Sequence, residues 1–191
     1  MGMNVQSLYA LKEWNAQIQT LLQGQYAVLI RKGGIIEKNL EFEIEHREFF
    51  LYPTYLHQNK LEIKPEHLAL VEDPLATEQV HFTAFARVKA VWKVEDLSRA
   101  LQMEPFQALN QKAIERRFLY RNKPYVHVLL LEVSRLEQPF ELLETPEMLG
   151  CLSWVPLDQE HVVKATSVLP DGGLQKLFHE LQSILGAPLM E

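Results

Sequence analysis

The side chains best suited to bind a ligand are cations and aromatic rings that lie in three stretches of the chain. Cations hold phosphates, aromatic rings stack on unpaired bases, and a histidine can hydrogen-bond to the edge of a base. This combination predicts a surface that binds nucleic acid, RNA or single strands, and catalyses no reaction. The residues assigned to it are Arg31, Lys32, Tyr52, Tyr55, His57, Arg87 and Lys89.

Other cations and one tryptophan extend this candidate surface: Lys93, Arg116, Arg117, Arg121, Lys123 and Trp154. The alternative is that the rings fill the core and the cations face only solvent. Residues 81–130 hold nine basic and four acidic side chains, whereas residues 131–191 hold three and ten. This uneven distribution favours one face suited to an anion, unless folding intermixes the charges.

Two other functions remain open. A metal-dependent phosphoester hydrolase or nuclease would need acids and imidazoles around a divalent ion. Its candidates are Glu45, His46, His57 and Glu62. Tight metal-ligand spacings, nucleophile elbows and dinucleotide-binding glycine patterns are absent, so we predict no catalytic residue, no metal and no cofactor. The third function is protein interaction or assembly through exposed apolar surface.

Composition and charge limit the class of protein. The chain has 191 residues, of which 47% are apolar and 23% charged, which suits one soluble domain over residues 1–191. Cys151 is the only cysteine, which excludes an intrachain disulfide. The net charge of −6 argues against indiscriminate binding to nucleic acid. We expect a cytoplasmic location, because no apolar run approaches the roughly 20 residues that span a bilayer and the N-terminus resembles no secretion signal.

A hairpin would position the aromatic segment. Apolar residues alternate over residues 26–30 and resume at Phe42, and Gly33-Gly34 between them supplies the backbone freedom of a turn. A second strand then leads into residues 52–58. Because Pro53 cannot donate to a strand ladder, we expect the strand to end there.

The clearest periodic signal covers residues 80–94, where every second side chain is apolar. The opposite face presents Arg87, Lys89 and Lys93. Fifteen residues at about 3.3 Å each would span roughly 50 Å, which is too long for a flat strand in a domain of this size. We therefore predict a bend or bulge, as in strands that close small barrels, and one cleft shared by this cationic face and residues 52–58.

Apolar stripes and breakers predict the remaining elements. We expect a first helix from the cap residue Ser7 to Gly24, and a short helix with Pro65 in its first turn. The others are helices at 95–103, 107–118 and 171–186, strands at 125–136 and 151–155, and an irregular segment marked by Pro139 and Pro146. The sum is an α+β domain with a curled mixed or antiparallel sheet of about five to six strands, flanking helices, and a C-terminal helix that packs on the core.

Four motifs carry a family resemblance: RKGGI at 31–35, EFFLYPTYLHQ at 48–58, RRF at 116–118 and GCLSWVPL at 150–157. Together they resemble an uncharacterised bacterial family, frequent in cyanobacteria, catalogued as domain of unknown function 1802. The resemblance implies a shared fold and no catalytic residue. A weaker likeness, carried by residues 21–31 and the long basic strand, is to PUA-like barrels such as ASCH and EVE modules, whose curled sheet binds RNA or a modified base.

Overall fold

The computed structural model of the protein describes residues 2–32, 46–74, 77–150 and 152–191. Within them the strands are β1 (Met3–Trp14), β2 (Val28–Arg31), β3 (Glu48–Thr54), β4 (Gln79–Val94), β5 (Val126–Leu143) and β6 (Trp154–Ser167). The α-helices are α1 (Asn15–Leu22), α2 (Leu97–Leu101), α3 (Gln111–Leu119), α4 (Pro146–Leu149) and α5 (Asp171–Leu185), and 3-10 turns cover Pro65–Leu70, Glu104–Phe106 and Tyr120–Asn122. None of the helices in these ranges is long and apolar enough to cross a membrane.

Five of the strands close into a ring. The order along the sheet is β2-β5-β4-β3-β1-β6, and β6 also pairs with β5, from Ser134↔Ser167 to Leu136↔Ala165. β2 and β6 share the edge of β5 that faces away from β4, and β2 occupies its first part. β1 and β3 are parallel, and the other described pairs are antiparallel. This confirms the predicted α+β class and the curled mixed sheet.

Bulges let the long strand β4 follow the curve of the ring. Its pairing with β5 shifts register between Phe82 and Ala84 and again between Val88 and Ala90. A bulge bends a strand and increases its twist, which spreads sixteen residues around the sheet instead of along a straight line. The predicted bend or bulge is confirmed.

Helix α5 covers part of the sheet. Leu174 and Leu181 are buried in a cluster with Trp92 of β4, and the Trp92 indole Nε1 donates to the backbone oxygen of Gly186, 2.9 Å away. Gly186 has φ 85°, a conformation that suits glycine and ends the helix as predicted. The C-terminal helix therefore packs on the core.

The predicted first helix is wrong in its first half. Residues 3–14 form β1, because the backbone of this segment pairs with β3 on one side and with β6 on the other. A register shift between Ser7 and Tyr9 breaks the strand alternation, so the apolar spacing imitates a helix. α1 begins only at Asn15, and Gly24 with φ 69° follows its end as expected.

The segment around Pro139 is not irregular. β5 continues through it to Leu143, paired with β4, whereas the described pairs on its other edge end at Leu136. Proline is tolerated there because its missing N–H falls on an edge without a described partner. The last predicted strand begins at Trp154, as expected, but runs on to Ser167 through mostly exposed, polar residues that hide its pattern.

The other predicted elements are present with shifted bounds, and β3 ends at Thr54, one residue past Pro53. The predicted helix at 107–118 is α3, which begins after the cap residue Asn110, and the predicted helix at 95–103 is α2, capped by Asp96. The predicted glycine hairpin turn at Gly33-Gly34, Phe42, Glu45 and Cys151 lie outside the described residues.

Candidate nucleic-acid interface

A cleft of about 1000 Å³ lies between β1, β3, α3 and the far ends of β4 and β5. Ligand pockets usually measure about 300–1,000 Å³, so this cleft can hold more than a single base. It brings together five of the seven predicted residues: Arg31, Lys32, Tyr52, Tyr55 and His57.

One wall of the cleft is cationic, and we call Arg31, Lys32, Arg116 and Arg117 the cation wall. The first two lie at the end of β2, and the other two lie in the last turn of α3. The negative end of the helix dipole stabilises cations in that turn. All four residues line the cleft.

A buried carboxylate holds Arg31 in place. The Arg31 Nη1 donates to the backbone oxygen of Lys12 and to Glu13 Oε2, both at 2.8 Å, and the Glu13 side chain is only 3% exposed. The other oxygen of Glu13 accepts from the backbone N of Trp14 and from Gln17 Nε2. Since β1 ends at Trp14, the strand places this carboxylate directly beneath the cation wall.

Lys32 contributes charge to the cleft more than a hydrogen-bond donor. Its Nζ donates to the backbone oxygens of Phe118 at 2.9 Å, Tyr125 at 2.7 Å and Lys123. An ammonium group has three N–H donors, and these three oxygens use them all. Burial, and then the nearby Lys123, lower the pKa of Lys32.

The two arginines of α3 differ in how much they expose. Arg117 donates to the backbone oxygen of Ile30 at 2.7 Å and lies over the Trp14 ring, 5.2 Å from its centroid. Burial lowers the pKa of Arg117, Glu13 opposes that shift, and Arg31 adds to it. Arg116 pairs with Glu62 at 2.6 Å while its side chain remains 64% exposed. A guanidinium has five N–H donors, so Arg116 keeps donors for a ligand.

Tyr52 does not fit the stacking role predicted for it. The residue is 2% exposed, and its ring packs edge-on against Phe82, 5.7 Å between centroids. A covered ring offers no face to a base. The Tyr52 hydroxyl instead donates to Glu144 Oε1, and both residues line the cleft. Burial first, and Glu144 second, raise the pKa of Tyr52, so the hydroxyl keeps its proton.

Tyr55 and His57 are presented by the loop that follows β3. Gln58 holds this loop, because it accepts from the backbone N of Ala16 at 2.9 Å and donates to the backbone oxygen of Glu72 at 3.1 Å. Tyr55 is half-buried, and burial, followed by Glu72, raises its pKa. His57 is exposed with φ 70°, a left-handed conformation in which histidine is among the enriched residues. Both side chains line the cleft.

The expectation that Arg87 and Lys89 share this cleft is wrong. Arg87 lies beside a small depression lined by Met3 and Glu132, and neither cation lines the cleft. The end of β4 that reaches the cleft contains His81, and six residues at about 3.3 Å each place Arg87 roughly 20 Å further along the strand. The Arg87 guanidinium pairs with Glu48 at 2.5 Å and with Glu132 at 3.4 Å, and Lys89 Nζ lies 3.6 Å from Glu132.

Several residues of the cleft were not predicted. They are Lys12, Glu13, Trp14, Tyr120, Glu141 and Glu144. The first three follow the bulge in β1, and the assignment of that segment to a helix hid their common position. Trp154, by contrast, belongs to the core, where its ring packs against Phe49 with 4.9 Å between centroids.

The residues proposed for a metal-dependent hydrolase do not converge. The described part of the chain contains no group of three histidine, cysteine, aspartate or glutamate side chains placed to hold a metal ion. His46 stacks on Tyr9 with 3.5 Å between centroids, and Glu62 pairs with Arg116. His57 lines the cleft apart from both pairs.

Comparisons with known proteins give one family and a few solved structures. The chain is similar to ASCH from Zymomonas mobilis, with 16% identity, 90% of this chain and 93% of that chain covered, and a TM-score of 0.41. It is also similar to two single-residue mutants of that protein, both 14% identical over 90% of this chain, which cover 96% and 94% of those chains with TM-scores of 0.44 and 0.45. No curated protein matches. The family model described as domain of unknown function (DUF1802) matches residues 10–180, and the chain belongs to this family.

Proposed function

We propose that the cleft binds single-stranded nucleic acid and catalyses no reaction on it. The observation that carries the proposal is that the cation wall and the rings of Tyr55 and His57 line one opening. Proteins that bind single strands combine these two features, because cations follow the phosphates and exposed rings stack on bases.

The cation wall is suited to the phosphate backbone. Arg116 supplies donors that can reach a phosphate oxygen, since only one contact, to Glu62, is described for its half-exposed guanidinium. Arg31 and Lys32 add positive charge while their own donors remain bonded to the protein. The net charge of the chain is negative, so this local concentration of cations decides where an anion binds.

The opposite side of the opening is suited to bases that have left a helix. Tyr55, His57 and Tyr120 line it, and Tyr120 is 52% exposed. Exposed leucines border the same opening: Leu56, Leu149 and Leu152. Apolar and aromatic contacts need the face of a base, which a paired and stacked duplex does not offer.

A titration of a fluorescently labelled eight-nucleotide RNA at two salt concentrations tests the proposal. We expect binding at low salt that weakens as salt rises, with a slope of about −1.4 in log K against log salt for two phosphate contacts. The Lys89→Ala variant is the matched control, because Lys89 lies outside the cleft and should not change the affinity. Absence of binding at low salt, or binding that ignores salt, would contradict the proposal.

A further inference from the structure

The two ends of the cleft carry opposite charge. Arg31 pairs in register with His127 near the start of β5, whereas Glu141 lies near the end of that strand and Glu144 directly follows it. Arg31 and both carboxylates line the same cleft. A phosphate is attracted to the cation wall and repelled by the carboxylates, since like charges raise the energy of a bound anion. A nucleotide in the cleft is therefore oriented with its base toward Glu144.

The Glu144 carboxylate is held in a fixed direction. The Tyr52 hydroxyl donates to its Oε1, and the backbone N of Glu144 donates to the backbone oxygen of Glu78 at 2.7 Å. Tyr52 is itself buried, so it cannot swing away from Glu144. Lys12 lies over the Tyr52 ring, 5.5 Å from its centroid, and donates to the backbone oxygen of Gly150 at 2.8 Å.

One oxygen of Glu144 remains available to a ligand. Its Oε2 accepts no hydrogen bond from the residues that the structure describes, and the side chain is half-buried at the cleft. An ionised carboxylate can only accept hydrogen bonds. Glu141 differs, because its Oε1 is bonded to His81 Nδ1 at 3.1 Å. The acceptor presented to a base at this end is therefore Glu144 Oε2.

We propose that the Tyr52–Glu144 pair selects bases that carry an exocyclic amino group, which are cytosine, adenine and guanine, over uracil. Glu144 accepts from the amino group, as carboxylates accept from the cytosine N4 amino group in DNA complexes. Uracil carries a carbonyl oxygen where cytosine carries the amino group, and that oxygen would face the carboxylate. Tyr52 acts as a positioning residue, since it fixes the carboxylate without touching the base. This inference rests on the proposed function.

The test compares two eight-nucleotide RNAs, one of cytidines and one of uridines. The two pyrimidines have nearly the same shape and differ at the edge that Glu144 would read. Fluorescence anisotropy should show about tenfold tighter binding of the cytidine oligonucleotide. In Glu144→Gln the amide both donates and accepts, so the two affinities should become equal within about twofold.

Two further variants separate positioning from general loss of binding. In Tyr52→Phe the carboxylate loses its donor, so the cytidine to uridine ratio should fall to about threefold while circular dichroism shows a folded protein. In Lys89→Ala the ratio should stay at about tenfold. A preference that survives in Glu144→Gln would overturn the assignment to Glu144. Equal affinities in the unmodified protein would overturn base selection and leave the proposed function standing, whereas no binding of either RNA would overturn both.

Discussion

Arg87–Lys89 of β4 and Arg116–Arg117 of α3 are two groups of closely spaced cations with opposite surroundings. The hydrogen bond from Arg87 to Glu48 is the largest of the causes that raise the pKa of Arg87. Burial lowers the pKa of Arg117. Carboxylates thus neutralise the β4 group at the surface, whereas the α3 group keeps excess positive charge beside a cleft. A count of cations in the sequence cannot separate these cases.

The difference comes from strand register. Arg87 stands opposite Glu48 on β3 and opposite Glu132 on β5, so each neighbouring strand supplies a carboxylate. Cross-strand pairs of opposite charge stabilise a sheet modestly and occupy the cation. Arg116 lies on a helix, where Glu62 reaches it from one side only. The helix therefore leaves a cation able to bind a ligand.

Removal of the central carboxylate on each side should give the largest contrast. Glu13→Ala leaves Arg31 charged and buried without its partner, and we expect the free energy of unfolding to fall by about 3–5 kcal/mol. Glu132→Ala removes the partner of cations that are 37% and 46% exposed, and should cost about 1 kcal/mol. Urea denaturation of both variants measures the two costs, and equal costs would contradict the comparison.

The pH dependence of stability should report the positive charge near the cleft. His127 is buried, and neither ring nitrogen has a hydrogen-bond partner within the described residues. Burial, and then Lys93 and Lys32, lower its pKa to about 4. The unfolded chain takes up this proton below about pH 6.5 and the folded protein only near pH 4. The contribution of His127 to stability is therefore complete above pH 6.5 and lost as pH falls toward 4, by about 3 kcal/mol.

His127→Leu isolates this effect. The variant lacks the imidazole, so its free energy of unfolding should decrease less than that of the unmodified protein between pH 7 and pH 4. Denaturant titrations at several pH values across this range give the difference directly. Parallel curves for the two proteins would show that the His127 proton does not differ between the folded and unfolded states.

Loss of the aromatic ring at Tyr55 should weaken nucleic-acid binding more than loss of a surface cation. Stacking on an aromatic ring contributes about 1–3 kcal/mol per base, so Tyr55→Ala should reduce affinity by roughly 5- to 150-fold. Tyr55→Phe keeps the ring and is the matched control, with little change expected. If both variants bind RNA equally well in anisotropy titrations, Tyr55 is no stacking platform.

The smallest effect concerns single cations. Arg116→Ala should reduce RNA affinity by about fivefold and reduce the magnitude of the salt slope by about 0.7, the value for one lost phosphate contact on a single strand. Arg87→Ala should change neither quantity, because Glu48 and Glu132 already occupy Arg87. The reverse result, a change with Arg87→Ala and none with Arg116→Ala, would move the binding surface to the β4 face.

The sequence predicts the fold better than the cleft. The alternation over residues 80–94 sufficed for a long strand with a bulge, and Gly186 marked the end of α5, because both signals are local. Glu13 and Glu144 lie in the cleft only after β1 and β5 have found their partners. Local patterns carry no information on register. The same limit explains why Arg31 was predicted together with Arg87, although only Arg31 lines the cleft.

The ring has a short seam. β5 and β6 meet over three residue pairs, whereas β4 and β5 run alongside each other from Gln79↔Leu143 to Val94↔Val126. Separation of the circle at residues 134–136 breaks fewer backbone hydrogen bonds than separation anywhere along β4. Amide protons at this junction should exchange with solvent sooner than those of the β4 ladder, and a proline at Ala165 would act as a wedge that opens the circle into a sheet.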